Sequence, residues 1–71
     1  MSEKEAVETA MNFFARTRIA LTAKVLTLEL DEDSNIWVGV AVSPAGSHRL
    51  TARKQKDGTW MISRYLGSLP S

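Results

Sequence analysis

The sequence predicts an α+β fold in which one N-terminal helix packs on a four-stranded antiparallel meander. Three observations lead to this prediction. Residues 2–22 carry apolar side chains at helical spacing, the segments that follow alternate between apolar and polar residues, and short polar turns separate those segments. Consecutive strands joined by short turns pair antiparallel, and the apolar stripe of the helix then covers one face of the sheet.

The predicted helix covers residues 2–22. Ser2 and Glu5 have the spacing of a capping box, in which each side chain satisfies a free backbone N–H of the first turn. Acidic residues lie near its start, and Arg16 and Arg18 lie near its end, as the helix dipole favours. The apolar stripe that should face the sheet consists of Ala6, Val7, Ala10, Met11, Phe14 and Leu21.

Four strands are predicted after the helix, at residues 24–30, 36–42, 49–55 and 59–66. The turns between them are the acidic stretch 31–35, the proline–glycine loop 43–47 and a turn at Asp57-Gly58, a strong hairpin signal. The 71 residues are expected to form a single domain (1–71), because a chain of this length has room for one core.

Composition narrows the classes of function. The chain has no cysteine and one histidine, which excludes disulfides, cysteine-ligated metals and a histidine-rich metal site. No apolar run approaches the roughly 20 residues of a membrane span. The charged residues 1–5 lack the basic and apolar regions of a secretory signal. We therefore expect a cytoplasmic protein with no cofactor and no membrane contact.

No catalytic apparatus is recognisable. Residues 31–35 offer oxygens at alternate positions, but Ile36 and Val42 stand where a calcium loop of the EF-hand type needs glycine and glutamate. His48 has no partner pattern of nucleophile and acid, and it is expected to be a solvated loop residue. Glycine-rich phosphate loops are absent. The sequence therefore predicts a protein that is not an enzyme.

Alternation along the strands assigns their residues to two faces. The face toward the helix is predicted to contain Leu26, Leu28, Leu30, Ile36, Val38, Val40, Val42, Leu50, Ala52, Trp60, Ile62 and Leu66. One helix covers only one face, so the other face remains open. The open face is predicted to carry residue types enriched at interfaces, namely Val25, Trp37, Arg53, Met61 and Tyr65. These five residues predict an interaction or assembly protein that forms a homodimer or binds another protein.

Charge is distributed unevenly, which suggests one alternative function. Residues 1–35 have a net charge of −3 and residues 36–71 a net charge of +4. Such asymmetry guides self-association or marks a half that binds polyanions. A small nucleic-acid-binding module would use Arg49, Arg53, Lys54, Lys56 and Arg64. The total charge of +1 argues against it, since such modules are usually strongly basic. The second alternative is a small-ligand-binding domain with a cone-like cavity between helix and sheet.

The order of elements also resembles a known family. A tryptophan-led strand at residues 37–42, a later basic strand, the Asp57-Gly58 hairpin and a closing Arg64-Tyr65 are similar to the C-terminal region of gas vesicle protein O. The sequence departs from that pattern at Ala41, where the family has a glutamate. The resemblance implies an accessory protein of gas vesicle formation without enzymatic activity. The helix-then-meander order also resembles half of a cystatin-like or NTF2-like fold, whose small members often dimerise through the open sheet face.

Overall fold

A computed structural model describes residues 2–65 and confirms the predicted α+β architecture in its predicted order. Within these residues there are one helix and four strands: α1 (Glu3–Arg18), β1 (Lys24–Asp31), β2 (Ile36–Ser43), β3 (Gly46–Lys54) and β4 (Trp60–Arg64). The strands form one sheet in the order β1-β2-β3-β4, and every neighbouring pair is antiparallel. The predicted strand position and core position of Leu66 lie outside the described residues.

The helix begins where the capping box predicts. Ser2 Oγ accepts a hydrogen bond from the Glu5 N–H at 3.2 Å, and Glu5 Oε1 accepts one from the Ser2 N–H at 3.5 Å. The predicted end at residue 22 is wrong, because α1 ends at Arg18. The N–H groups of Ile19 and Ala20 both donate to the Ala15 carbonyl, which closes the last turn without a glycine or a proline.

The three hairpin turns differ in length. The acidic turn lies where it was predicted, except that Asp31 belongs to β1 and pairs with Ile36, and Asn35 takes a positive φ of 57° there. The loop predicted at residues 43–47 is shorter than expected, since Ser43 pairs directly with Gly46. Strand β3 therefore begins three residues before its predicted start at residue 49. This short turn fixes which residues of β2 and β3 share a face.

The third turn is the predicted Asp57-Gly58 hairpin. Gly58 has a φ of 89°, a conformation that favours glycine. The Asp57 carboxylate accepts hydrogen bonds from the Thr59 hydroxyl at 2.6 Å and from the Thr59 N–H at 3.0 Å. These hydrogen bonds lower the pKa of Asp57 below its ordinary value, the hydroxyl having the larger effect. Their contribution to stability is therefore present at neutral pH and is lost as the pH falls through the lowered pKa.

The core lies between α1 and the sheet. Its three largest fully buried side chains are Met11, Leu50 and Val7. Met11 rests on Gly39, and a Cβ added to this glycine would overlap Met11 Sδ. The helix is also tied to the start of β1, because Asn12 Oδ1 accepts a hydrogen bond from the Val25 N–H at 2.9 Å. Close contact between helix and sheet therefore depends on the absence of a side chain at position 39.

Candidate interaction surface

The sheet has one face covered by α1 and one face that points away from it, which we call the open face. On β2 the covered residues are Trp37, Gly39, Ala41 and Ser43, all of them buried. The alternate residues of β2 point the other way and are exposed or half-buried. They form an aliphatic row along the middle of the open face, which we call the β2 stripe: Ile36, Val38, Val40 and Val42.

Two of the five predicted interface residues do not lie on the open face. Trp37 is 9% exposed and Val25 is 5% exposed, and both belong to the core beneath α1. Trp37 Nε1 donates a hydrogen bond to Glu3 Oε1 at 3.1 Å, which satisfies the indole at the start of the helix. The prediction that these two side chains remain uncovered is therefore wrong.

The other three predicted interface residues do lie on the open face. Arg53 pairs with Met61 in the β3–β4 ladder, and neither belongs to the covered set. Met61 is 46% exposed. Tyr65 follows β4 and donates its backbone N–H to the Arg49 carbonyl at 2.8 Å, so alternation places it with Met61. Whether these residues contact a partner stays a prediction.

The assignment of the whole of β2 is reversed relative to the sequence prediction, and the helix explains why. A helix and a sheet pack closely only if the large side chains of one meet small ones of the other. Met11 and Leu50 occupy the space between the layers, and Gly39, Ala41 and Ala52 leave room for them. Val38 and Val40 in the places of Gly39 and Ala41 would hold the helix away from the sheet, whereas Trp37 lies at the start of the helix beside Glu3.

Strand β1 also departs from simple alternation. The β1–β2 register shifts between Val25 and Thr27, which marks a bulge at Leu26. Val25 and Leu28 consequently both point toward the helix, and Leu26 is 62% exposed instead of buried as predicted. Leu50, Ala52, Trp60 and Ile62 lie on the covered face, as predicted.

The open face contains a shallow groove of about 440 Å³ above β2. Val38 and Val40 form its floor, and their half-buried side chains are short. The wall on the β1 side is acidic, with Glu29 and Asp31, and the wall on the β3 side contains Arg49. The groove is therefore an apolar strip between side chains of opposite charge.

The structure does not bring the five residues of the nucleic-acid alternative together. Arg49 and Arg53 are on the open face, whereas Lys54 and Arg64 alternate onto the helix side. Lys54 Nζ lies 5.9 Å from the centre of the Trp60 ring on that side. Lys56 lies in the turn before β4. A single basic strip with aromatic platforms, as single-stranded nucleic acids require, does not form among these residues.

The space between helix and sheet, where the cone-like cavity was predicted, is filled at its centre. Met11 is fully buried and fills the space above Gly39, whose nearest other neighbours include Leu28 Cδ1. A second concavity of about 330 Å³ lies at the edge of the molecule, between α1 and β4, and is lined by Phe13, Phe14, Trp60 and Ile62 among others. It is an external groove beside the helix, not a ligand cavity within the core.

One pairing could suggest catalysis, namely Ser43 with His48. His48 is not the solvated loop residue that was predicted, because it is half-buried in β3, opposite Ala41. Its Nε2 lies 3.1 Å from Ser43 Oγ. Ser43 is only 8% exposed, and its Oγ accepts the Ala45 N–H at 3.1 Å. A nucleophile must reach its substrate, and the buried Ser43 hydroxyl is poorly placed to do so. Its contacts with His48 and Ala45 instead connect β2 to β3 at the hairpin.

Comparison with protein-family models, with curated proteins and with solved structures gave no match. The resemblance to gas vesicle protein O therefore stays a prediction. Within residues 2–65 no group of three or more histidine, cysteine or acidic side chains is placed to hold a metal ion. The helix of this part of the chain is neither long enough nor apolar enough to cross a membrane.

Proposed function

We propose that this protein is a non-enzymatic interaction or assembly protein that self-associates through the open face of its sheet. The observation that carries the proposal is the β2 stripe. Four aliphatic side chains lie in one row at the middle of a sheet face that nothing in residues 2–65 covers. Contiguous apolar surface bordered by polar residues is typical of protein interfaces.

The residues around the β2 stripe also belong to types that are common at protein interfaces. Met61, Arg49, Arg53 and Tyr65 border it on the β3 and β4 side. Methionine, arginine and tyrosine are residue types enriched at interfaces. Small domains without disulfides often obtain additional stability from a partner chain. A homodimer in the cytoplasm would provide that stability here.

Substituting the centre of the stripe should dissociate the dimer. In Val40→Glu a carboxylate replaces an aliphatic side chain that a partner would bury. Burying an unpaired charge costs several kcal/mol, and each 1.4 kcal/mol changes a dissociation constant about tenfold. We therefore expect association at least about 100-fold weaker. In the monomer, the new carboxylate would lie beside Arg49, the cross-strand neighbour of Val40, so the fold should tolerate the change.

The measurement is sedimentation equilibrium across the micromolar range, with circular dichroism to check the fold. The wild-type chain should have twice its 7.9 kDa mass, and Val40→Glu should have the mass of one chain. Leu21→Glu is the matched control, because Leu21 is 87% exposed but lies in the turn after α1. It should leave the dimer intact. A wild-type chain of monomer mass at high micromolar concentration would refute self-association.

A further inference from the structure

The open face has opposite charges on the two sides of the β2 stripe. Glu29 and Asp31 lie on β1 and Arg49 and Arg53 lie on β3, while Lys24 lies at the opposite end of β1 from Asp31. Strand β2 lies between them, so the two sets are separated by two strand spacings, roughly 10 Å. Within residues 2–65, none of Glu29, Arg49 and Arg53 forms an ion pair. The acidic and basic sets are thus available to a partner.

The strand register also places an acidic residue of β1 and a basic residue of β3 at the same level along the strands. Asp31 lies opposite Ile36 across the β1–β2 ladder. On the other side of β2, Trp37 pairs with Ala52, so the next position of the same register sets Arg53 beside Ile36. Asp31 and Arg53 are therefore in one row across the sheet, equally far from β2. Thr27 and Arg49 flank Val40 in the same way.

We infer that two copies of the chain pack open face to open face about a two-fold axis that runs along β2, with β1 of each protomer over β3 of the other. This inference rests on the proposed function and specifies its geometry. Rotation about that axis exchanges the two sides of the stripe and preserves the height along the strands. Asp31 of each chain therefore meets Arg53 of its partner, and each β2 stripe meets its own copy.

The other simple arrangement has the two-fold axis across the strands. It would place β1 over β1 and β3 over β3. The open-face residues of β3 include no carboxylate, so Arg49 and Arg53 would have no acidic partner in that arrangement. The axis along β2 is therefore favoured, because it gives Arg53 a carboxylate of opposite charge. It also produces the aligned packing that two sheets usually adopt, with strand directions within about 30° of each other.

The shape of the open face agrees with this arrangement. The β3 and β4 side of the face carries long side chains, including Arg49, Arg53 and Met61, whereas the floor of the groove is formed by short valines. The axis along β2 lays Arg49 and Arg53 of each chain over the acidic wall of the partner's groove, while β4 with Met61 lies beyond the partner's β1.

Charge reversal tests the arrangement. In Arg53→Glu, a glutamate would face Asp31 of the partner at both symmetry-related positions, and we expect association at least tenfold weaker than that of the wild type at low salt. The double variant Asp31→Arg, Arg53→Glu exchanges the two charges and restores attraction about the same axis. It should recover the wild-type dissociation constant to within about threefold. The readout is sedimentation equilibrium, with circular dichroism confirming that each variant is folded.

The outcomes separate the inference from the proposed function. A wild-type dimer that Arg53→Glu leaves unchanged would overturn the axis and leave self-association standing. A folded double variant that stays as weak as Arg53→Glu would also overturn the axis, since only an arrangement of β1 over β3 predicts recovery. A monomeric wild-type chain would instead refute the proposed function, and the inference with it. Recovery in the double variant, together with weakening in the single one, supports the arrangement.

Discussion

Replacing Trp37 with glutamate will unfold the chain. Trp37 is 9% exposed beneath α1, and removal of a buried tryptophan side chain costs about 3–5 kcal/mol. The new carboxylate would also lie near Glu3, which now accepts the indole N–H, so two negative charges would be close together at a partly buried site. A domain of 71 residues has a total stability of roughly 4–11 kcal/mol. The loss is therefore a large fraction of the whole.

The control for this prediction is Val40→Glu, on the same strand. Its side chain points to the open face, so the variant should keep the far-ultraviolet circular dichroism of the folded chain and a cooperative thermal transition. Trp37→Glu should lose both. The sequence alone placed Trp37 on the open face, where the same substitution would leave the fold intact. If Trp37→Glu folds normally and Val40→Glu does not, the two faces of β2 have been assigned the wrong way round.

Replacing Gly39 with valine will be almost as damaging. Its Cβ would overlap Met11 Sδ and would lie 3.2 Å from the Thr27 carbonyl oxygen. Met11 is fully buried, so it can yield only by displacing its packed neighbours or by shifting the helix away from the sheet. Overpacking of this kind typically costs about 1–3 kcal/mol. We expect a loss near the upper end, measured as the free energy of unfolding in urea.

A double variant tests whether the contact with Met11 is the cause. Met11→Ala alone should cost about 2–5 kcal/mol, because it leaves a cavity. In the Gly39→Val background the added valine would fill part of that cavity. The loss in the double variant should thus be smaller than the sum of the two single losses by about 1 kcal/mol or more. Additive losses would show that Gly39 and Met11 do not share the space between helix and sheet.

The sequence predicts those parts of the fold that have local causes. The helix start follows from the Ser2 and Glu5 hydrogen bonds, and the last hairpin follows from Asp57 and Gly58. The order of elements follows from the change of apolar period after the helix. Each of these features is decided by residues within a few positions of one another, and such signals can be read without knowing the tertiary structure.

The faces of β2 could not be predicted in this way, because both of them are apolar. Ile36, Val38 and Val40 on one side look more like core than Gly39 and Ala41 on the other. Only the length of the following turn decides between them. With Ser43 paired to Gly46, Leu50 must lie opposite Gly39 and Ala52 opposite Trp37, so these four residues share a face. If Pro44 and Ala45 had been taken as a two-residue turn, the sequence would have predicted that the β2 stripe lies on the open face.

The bulge at Leu26 also could not be predicted from the sequence, for a related reason. Residues 24–30 have leucines at every second position, which predicts an uninterrupted strand with Leu26, Leu28 and Leu30 on one face. The register shift after Val25 allows Val25 to join the core and turns Leu26 outward. The shift occurs next to Val25, whose N–H donates a hydrogen bond to Asn12 Oδ1. These two residues are thirteen positions apart in the sequence, so no local sequence pattern indicates their contact.

The most direct test of the central claim is an isotope-filtered nuclear Overhauser measurement on a mixture of ¹³C-labelled and unlabelled chains. It records only contacts between protons of different molecules. Self-association through the open face predicts intermolecular signals from the methyl groups of Val38 and Val40, which would meet their own copies. The methyl groups of Val7 and Leu50, buried under the helix, should give none. Intermolecular signals absent from the β2 stripe at millimolar concentration, with the rotational correlation time of a single chain, would contradict the account.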